Sequence, residues 1–352
     1  MGFSLKFKFS KKEETILKVL KSYIIPRLIQ YFVVIFIGIT ITFLVPRFTP
    51  IDPVQTTINR LSSYGGAYME PEALASLQNT LKELYGLEGT LFEQYLAFWK
   101  HLFTFDFGPS LSMFPTPVMQ IIFNSLPWTL FLLLSSILIS WIIGNILGGL
   151  AGYFKDKKWS DILAVIAMSI YPVPYYVMAL LLVILFVYIF PIFPMMGGYS
   201  IGIQPSFSWS FIMNVIKHSI LPAISLIIIG IGWWFLSMRS LTSNIVAEDF
   251  VTYVEFAGLP KNKILFSYVM RNGILPQITA LGLQLGGIFN GAIITEVAFS
   301  YPGVGLLLKN AVTSGDFNLM MGISVFSIIA IATASLIVDL LYPLFDPRIR
   351  LR

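Results

Sequence analysis

Six stretches of this chain, about 23–45, 123–152, 162–190, 215–238, 276–298 and 321–345, are largely apolar over the roughly 20 residues that a helix needs to cross a bilayer. No other feature narrows the range of folds as severely. In hydrocarbon every backbone N–H and C=O must be satisfied within its own segment, so each stretch is read as a transmembrane helix and the chain as an all-α membrane protein. Composition agrees: 56% of the 352 residues are hydrophobic and 12% charged, where a soluble domain is nearer a quarter charged. With no cysteine and only His101 and His218, the chain is expected to hold no disulfide, metal centre or thiol nucleophile.

Charge sets the expected orientation. The loop after the second span carries Lys155, Lys157 and Lys158, and the loop after the fourth carries Arg239, Lys261, Lys263 and Arg271. The loop at 191–214 has neither Lys nor Arg, and that at 299–320 has only Lys309. Lys6, Lys8, Lys11, Lys12, Lys18 and Lys21 precede the first span, and Arg348, Arg350 and Arg352 follow the last. By the positive-inside rule both termini are cytoplasmic, the parity that six spans require. The net charge of +5 is thus assigned to the inner membrane face, and nucleic acid is not an expected partner. The start does not read as a signal peptide, because its apolar run is too long and "VPRFTP" follows it. The tail "FSLKFKFSKK" is expected to lie on the anionic inner leaflet, and Arg27 to snorkel toward the headgroups.

The chain thereby divides into a basic tail 1–22, a first span 23–45, an extracytoplasmic insertion 46–122, a five-span core 123–345 with a cytoplasmic loop 239–275, and a tail 346–352. In the insertion, "PEALASLQNTLKELYGLEGTLFEQYLAFWKHLF" predicts two helices broken at Tyr85-Gly86, with Leu74, Leu77, Leu81 and Leu84 on one face. Such a cap is a docking surface or a lid over the span ends, and the sequence favours neither.

Within the spans, Gly144, Gly148 and Gly152 strip one helix face of side chains and predict close helix approach. The fifth span repeats the device with Gly282 and Gly286, and Gly287 and Gly291 beside them, with Gln284 and Asn290 among them. A tight helix seam is the plainer reading, and a wet path for a hydrophilic solute the sharper one. Pro172 and Pro174 in "SIYPVPYY" should kink or interrupt the third span. Glu296 and Asp339 are expected near the two interfaces as solvated or hydrogen-bonded structural carboxylates. There is no phosphate-cradling loop, H-E-x-x-H or G-x-S-x-G, so the chain is not expected to be an enzyme.

The segment 248–276, "EDFVTYVEFAGLPKNKILFSYVMRNGILP", is too structured for a plain loop. Phe250, Val254 and Ala257 predict the apolar face of a short helix, flanked by Val251 and Phe256, with Glu248 and Asp249 in its first turn. Gly258 and Pro260 predict its stop, and Asn262 the cap of a second short helix ended by Gly273. Pro276 is expected to open the fifth span. The first helix either rests on lipid or plugs a groove on a cytoplasmic partner.

Asp249-Phe250-Val251, Gly258-Leu259, Arg271-Asn272 and Pro276 resemble the loop of the membrane permeases of ABC importers in the dipeptide, oligopeptide and nickel branch. The resemblance continues through "LGLQLGGIFNGAIITEVAFSYPGVGLLL", "VDLLYPLFDPRIR" and, upstream, "FEQYLAFWKHLFTFDFGPSL", and covers most of residues 75–350. The chain departs from the family pattern at Thr252-Tyr253-Val254, and at Glu255 and Ala257, where basic residues are usual. The resemblance implies the type I importer fold in the cell membrane. It implies that residues 249–259 (Asp249, Phe250, Val251, Thr252, Tyr253, Val254, Glu255, Ala257, Gly258 and Leu259 among them) couple the spans to an ATPase. It implies as partners a sister permease, two ATPase subunits that bind ATP and magnesium, and an extracytoplasmic binding protein, with no cofactor in this chain. Gly144, Gly148, Gly282, Gln284, Gly286, Asn290 and Glu296 are then candidates for the path or its seams. Di- or oligopeptides are the expected solute and oligosaccharides the alternative. A self-sufficient carrier or channel is the remaining reading, and no repeat between halves supports it.

Overall fold

The structure, a computed structural model, describes residues 23–48, 52–65, 71–290 and 292–345. The expectations for the tails 1–22 and 346–352 and for Gly291 lie outside these residues. Helices account for nearly all regular structure, the one β-type pairing among the described residues being an isolated bridge between Pro109 and Pro117.

Among the described residues four helices are long and apolar enough to cross a membrane: α1 (Ile25–Phe48), α5 (Val118–Tyr153), α8 (Trp209–Val246) and α13, whose apolar stretch is Phe317–Leu340 within Phe317–Phe345. A fifth candidate is a bent pair. Helix α6 (Lys158–Ile170) stops at Tyr171, and α7 (Tyr175–Val183) continues as a π-turn over Ile184–Ile189, at 97° to it. Pro172 and Pro174 fall in the break, as a residue that removes a backbone donor should.

The fifth expected span, 276–298, is not one helix. Helix α10 (Met270–Gly286) gives way to a 3-10 turn, Gly287–Asn290, and a new helix, α11 (Ile293–Ala298), follows. Neighbouring glycines favour the interruption, since glycine costs a helix interior about 1 kcal/mol relative to alanine.

Pairwise contacts fix the helix directions. Gly144 faces Trp234, and Gly152 faces Thr242, so α5 and α8 are parallel. Helix α1 is antiparallel to α13, as Arg27 meets Asp339 and Tyr31 meets Thr333 while Phe43 packs with Met321. Helix α10 is antiparallel to α13 too, with Gly282 near Val338 and Gly286 near Ala334. Arg27 thus has a carboxylate partner at 3.2 Å, where snorkelling had been expected. The pairing gives Asp339 its own role, as the counter-ion of the first long helix.

Before α5 lie α2 (Pro53–Gly65), α3 (Pro71–Leu84) and α4 (Leu91–Thr104). The break at Tyr85-Gly86 falls where the sequence predicts, and α2 is an additional helix. Leu81 is buried, with Leu74, Leu77 and Leu84 packed around it against Val54, Ile58 and Phe317. Helix α4 starts with a capping box, in which the Thr90 side chain accepts from the Glu93 amide and the Glu93 carboxylate accepts from the Thr90 amide at 2.7 Å. This part of the molecule is termed the cap end, and the opposite one, with residues 239–275, the loop end.

Candidate functional site

At the loop end α8 is followed by α9 (Asp249–Phe256), which closes on Gly258 at a φ of 75°. There the left-handed conformation admits glycine without strain. Helix α9 is seated by Val251, which is buried with Ile264 and Val269, and by the partly buried Val254 and Leu259. The face predicted from the sequence is therefore turned. Phe250 and Ala257 lie outside with Asp249, Thr252, Tyr253, Glu255 and Gly258, and the inward positions are Val251 and Val254. Tyr253 is 74% exposed and Phe256 86%, so two large aromatic side chains stand clear of the helix that carries them. Such a display suits either of the two expected placements, on lipid or in a groove of a partner.

The return is a turn at Lys261–Lys263, a π-turn over Ile264–Val269, and α10. Two sequence expectations fail here. Pro260 rather than Asn262 occupies the cap position, and Gly273 lies inside α10 rather than ending a helix. A β-carbon on Gly273 would sit 3.1 Å from the Met238 methyl, so its smallness serves packing against α8. Pro276 is likewise an internal residue of α10.

Gly144, Gly148 and Gly152 all press on α8. A β-carbon on Gly144 would lie 2.5 Å from the Trp234 β-carbon, one on Gly148 would meet the Phe235 carbonyl oxygen, and one on Gly152 would lie 2.6 Å from the Arg239 carbonyl oxygen. Gly144 and Gly148 therefore belong to a helix seam. On the α13 side, a β-carbon on Gly282 would lie a tight 3.3 Å from a Val338 methyl, and one on Gly286 an ordinary 3.8 Å from Ala334 and Ser335. Arg239 extends from the seam to Asp161 at 3.0 Å and to the Ser160 hydroxyl, tying α8 to the start of α6.

The seam is imperfectly satisfied. Among the described residues, four buried side-chain polar atoms lack a hydrogen-bond partner: Asn145 Oδ1, Trp234 Nε1, Thr242 Oγ1 and Gln277 Oε1. All four belong to α5, α8 and α10, and a buried polar group without a partner costs about 1–3 kcal/mol.

A cavity of 840 Å³ opens between α5, the start of α7, α8 and the break between α10 and α11. Ser136, Ser140, Tyr175, Tyr176, Gln284 and Thr295 supply its polar and aromatic lining among aliphatic side chains, and no charged residue takes part. Of the sequence-predicted residues Gln284 lies there. Asn290 occupies the 3-10 turn beside it, and the cavity wall includes Gly287. Sequence reasoning missed the two tyrosines and the two serines. The signal available for the tyrosines was their place directly after the Pro172–Pro174 break.

Of the two expectations for Glu296, the hydrogen-bonded structural carboxylate holds and the solvated one does not. Glu296 is fully buried in α11, and its carboxylate accepts from the Thr129 hydroxyl at 2.7 Å, the Gly305 amide at 2.6 Å and the Leu306 amide at 3.1 Å. The two amides are the first-turn donors of α12 (Val304–Ser314), where an anion is favoured. Thr129 Oγ1 also accepts from the Val304 amide at 2.8 Å, which leaves the arrangement closed. Gly303 and Gly305 have no side chain because the carboxylate occupies that space. Glu296 is therefore a staple between α5, α11 and α12.

Residues 144–351 match the model of a protein family described as the binding-protein-dependent transport system inner membrane component. The chain is 28% identical to the oligopeptide transport system permease protein AppB of Bacillus subtilis, over 93% of this chain and 99% of the relative. It is 30% identical to the dipeptide transport system permease protein DppB of Alkalihalophilus pseudofirmus, over 90% and 96% respectively. It is 27% identical to the probable D,D-dipeptide transport system permease protein DdpB of Escherichia coli, over 88% and 92%. With more than half of its length inside the family model, the chain belongs to that family, whose members are multi-pass inner-membrane components of transport systems.

Proposed function

We propose, from that membership, that this chain is one half of the translocation path of an ABC importer for di- or oligopeptides. A sister permease supplies the other half, an extracytoplasmic binding protein delivers the solute, and two cytoplasmic ATPase subunits bind ATP and magnesium and drive the cycle. The printed names of the relatives, all peptide permeases, support the solute class. Helix directions support six crossings with both termini cytoplasmic. Because α5 and α8 are parallel, the chain between them must run back once, and the α6–α7 pair is the segment available. Because α8 ends at the loop end and α13 begins beside Ser110 at the cap end, α10 and α11 must make another return.

Helix α9 carries the proposal. It is too short to be stable alone, yet Val251 seats it firmly while Tyr253 and Phe256 project outward. That is the form of a plug held by the permease and offered to a groove on another subunit. Residues 249–259 then transmit ATPase closure to α8 and α10, between which the loop is strung. The cavity, lined by hydroxyls, tyrosines and an amide without charge, favours a second reading in which the solute is an oligosaccharide.

The test is co-purification of the whole transport system through a tag on this chain. Wild type is expected to retain the ATPase, and Tyr253→Asp with Phe256→Asp to insert normally and lose it. An ATPase that never associates, or that stays bound to the variant, removes α9 as the dock.

A further inference from the structure

The four unpartnered atoms are not scattered. Asn145 follows Gly144 on α5. The Trp234 β-carbon is the atom that Gly144 meets, and the Thr242 β-carbon would lie 2.7 Å from a β-carbon on Gly152. Gln277 sits on α10, where its backbone carbonyl accepts from Trp141 Nε1 at 3.2 Å and its amide nitrogen donates to Ser237 Oγ at 2.7 Å. The small-residue stripe and the orphaned groups thus occupy one three-helix seam at the loop end. Buried polar groups elsewhere, such as Ser110, Thr129, Ser219 and Asp316, all have partners.

Bridging water does not remove the deficit along the glycine stripe. A water needs its own volume and two or more polar partners, and where Thr242 packs on Gly152, with its β-carbon 2.7 Å from a β-carbon placed there, the helices leave no room even for a methyl group. A half-satisfied polar network is less stable than an apolar seam of the same shape, so these residues do not serve the stability of this arrangement. They fit an arrangement in which the helices part enough to admit water or to exchange partners.

We propose that the α5–α8–α10 seam is the moving joint of the protein, and that Asn145 Oδ1, Trp234 Nε1, Thr242 Oγ1 and Gln277 Oε1, which lack partners here, gain them in the alternate arrangement, while the bonds that Asn145 donates to the Trp141 carbonyl and Gln277 to Ser237 already exist in this one. The proposal deepens the importer reading and rests on it, since α8 and α10 are the helices that flank α9. It places the hinge inside the membrane at the loop end, and makes the cap end the part that moves as a block.

Thr242→Val removes an orphaned hydroxyl and almost no volume. It is expected to raise the melting temperature of the assembled transporter by about 2 °C and to lower solute-stimulated ATP hydrolysis about fivefold, with the ATPase still bound. Thr129→Val, the same change at the cap end, is expected to lower the melting temperature. Because the chain has no cysteine, Thr242→Cys gives an independent reading. A small water-soluble thiol reagent should label it during ATP turnover and leave Ser219→Cys at the cap end unlabelled. If Thr242→Val destabilises, leaves hydrolysis unchanged, or Thr242→Cys stays unlabelled throughout, the seam is not the joint. Loss of the ATPase from wild type would instead strike the importer reading, and the melting temperatures of the chain alone would still decide whether the orphaned hydroxyl is a cost.

Discussion

At the cap end two buried carboxylates are saturated with donors, while in the α5–α8–α10 seam four buried polar atoms among the described residues, three oxygens and the Trp234 indole N–H, have no hydrogen-bond partner. Asp316 accepts from the Ser110 hydroxyl at 2.6 Å, the Ser112 amide at 2.9 Å, the Ser112 hydroxyl at 2.7 Å and the Leu319 amide at 3.1 Å. Asn318, two residues on, donates to the Leu84 and Pro109 carbonyls and holds α3 against α13. Glu296 does for α12 what Asp316 does for α13. The loop end is held instead by backbone contact along glycines and by the Arg239–Asp161 pair. Charge-assisted hydrogen bonds are directional and tolerate little displacement, whereas a glycine seam resists compression and not sliding. The two ends thus differ in the interactions that hold them, charge-assisted hydrogen bonds at one and a glycine seam at the other, and the buried apolar clusters at the loop end are the smaller ones.

Removing a carboxylate at the cap end should break this contrast most severely. Asp316→Ala leaves donors of the Ser110–Ser112 loop unpaired and buried, and is expected to cost about 3 kcal/mol or more, read as a fall in melting temperature and protease sensitivity of the α3–α4 region. Overfilling the seam comes next. Gly148→Val forces a side chain onto the Phe235 carbonyl and should cost about 1–3 kcal/mol, with solute-stimulated ATP hydrolysis falling in parallel. A cap end as sensitive to Gly322→Ala as the loop end is to Gly148→Val would blur the distinction.

The smallest effect is expected at Glu93. Its bonds from Thr90 hold the carboxyl below the ordinary glutamate value of 4.5. A folded-state pKa that is depressed contributes stability above the unfolded value, and that contribution is lost as pH falls through the folded one. The melting-temperature difference between wild type and Glu93→Gln should therefore be steady near neutrality and shrink below about pH 4.5. A difference that persists into acid would show that the capping box does not depend on the charge.

The sequence disclosed what depends on neighbours in the chain. Apolar length located the long helices, two prolines located the bend, and leucine spacing located the buried face of α3. It misplaced or left open what depends on distant partners. For Glu296 the sequence left solvation and hydrogen bonding as equal readings, because its donors come from Thr129 and from the amides after Gly303, and no local pattern announces them. Arg27 reads as a snorkelling residue because its partner lies on α13. Helix α9 has apolar residues all around it, so periodicity alone did not choose Val251 over Phe250, and the choice falls to what the flanking turns bring against it. Gly273 and Pro276 read as helix boundaries because both are common there, whereas packing against Met238 keeps Gly273 inside the helix.

The ion pair between Arg27 and Asp339 has a consequence for biosynthesis. Among the described residues Arg27 is on the earliest of the long helices in chain order and Asp339 on the latest, so the pair can close only once α13 has been made. Before that α1 can already pack on α4, through Phe43 against Phe98 and Leu102. The ion pair is therefore a contact that the chain adds late, to a helix that its apolar neighbours have already placed.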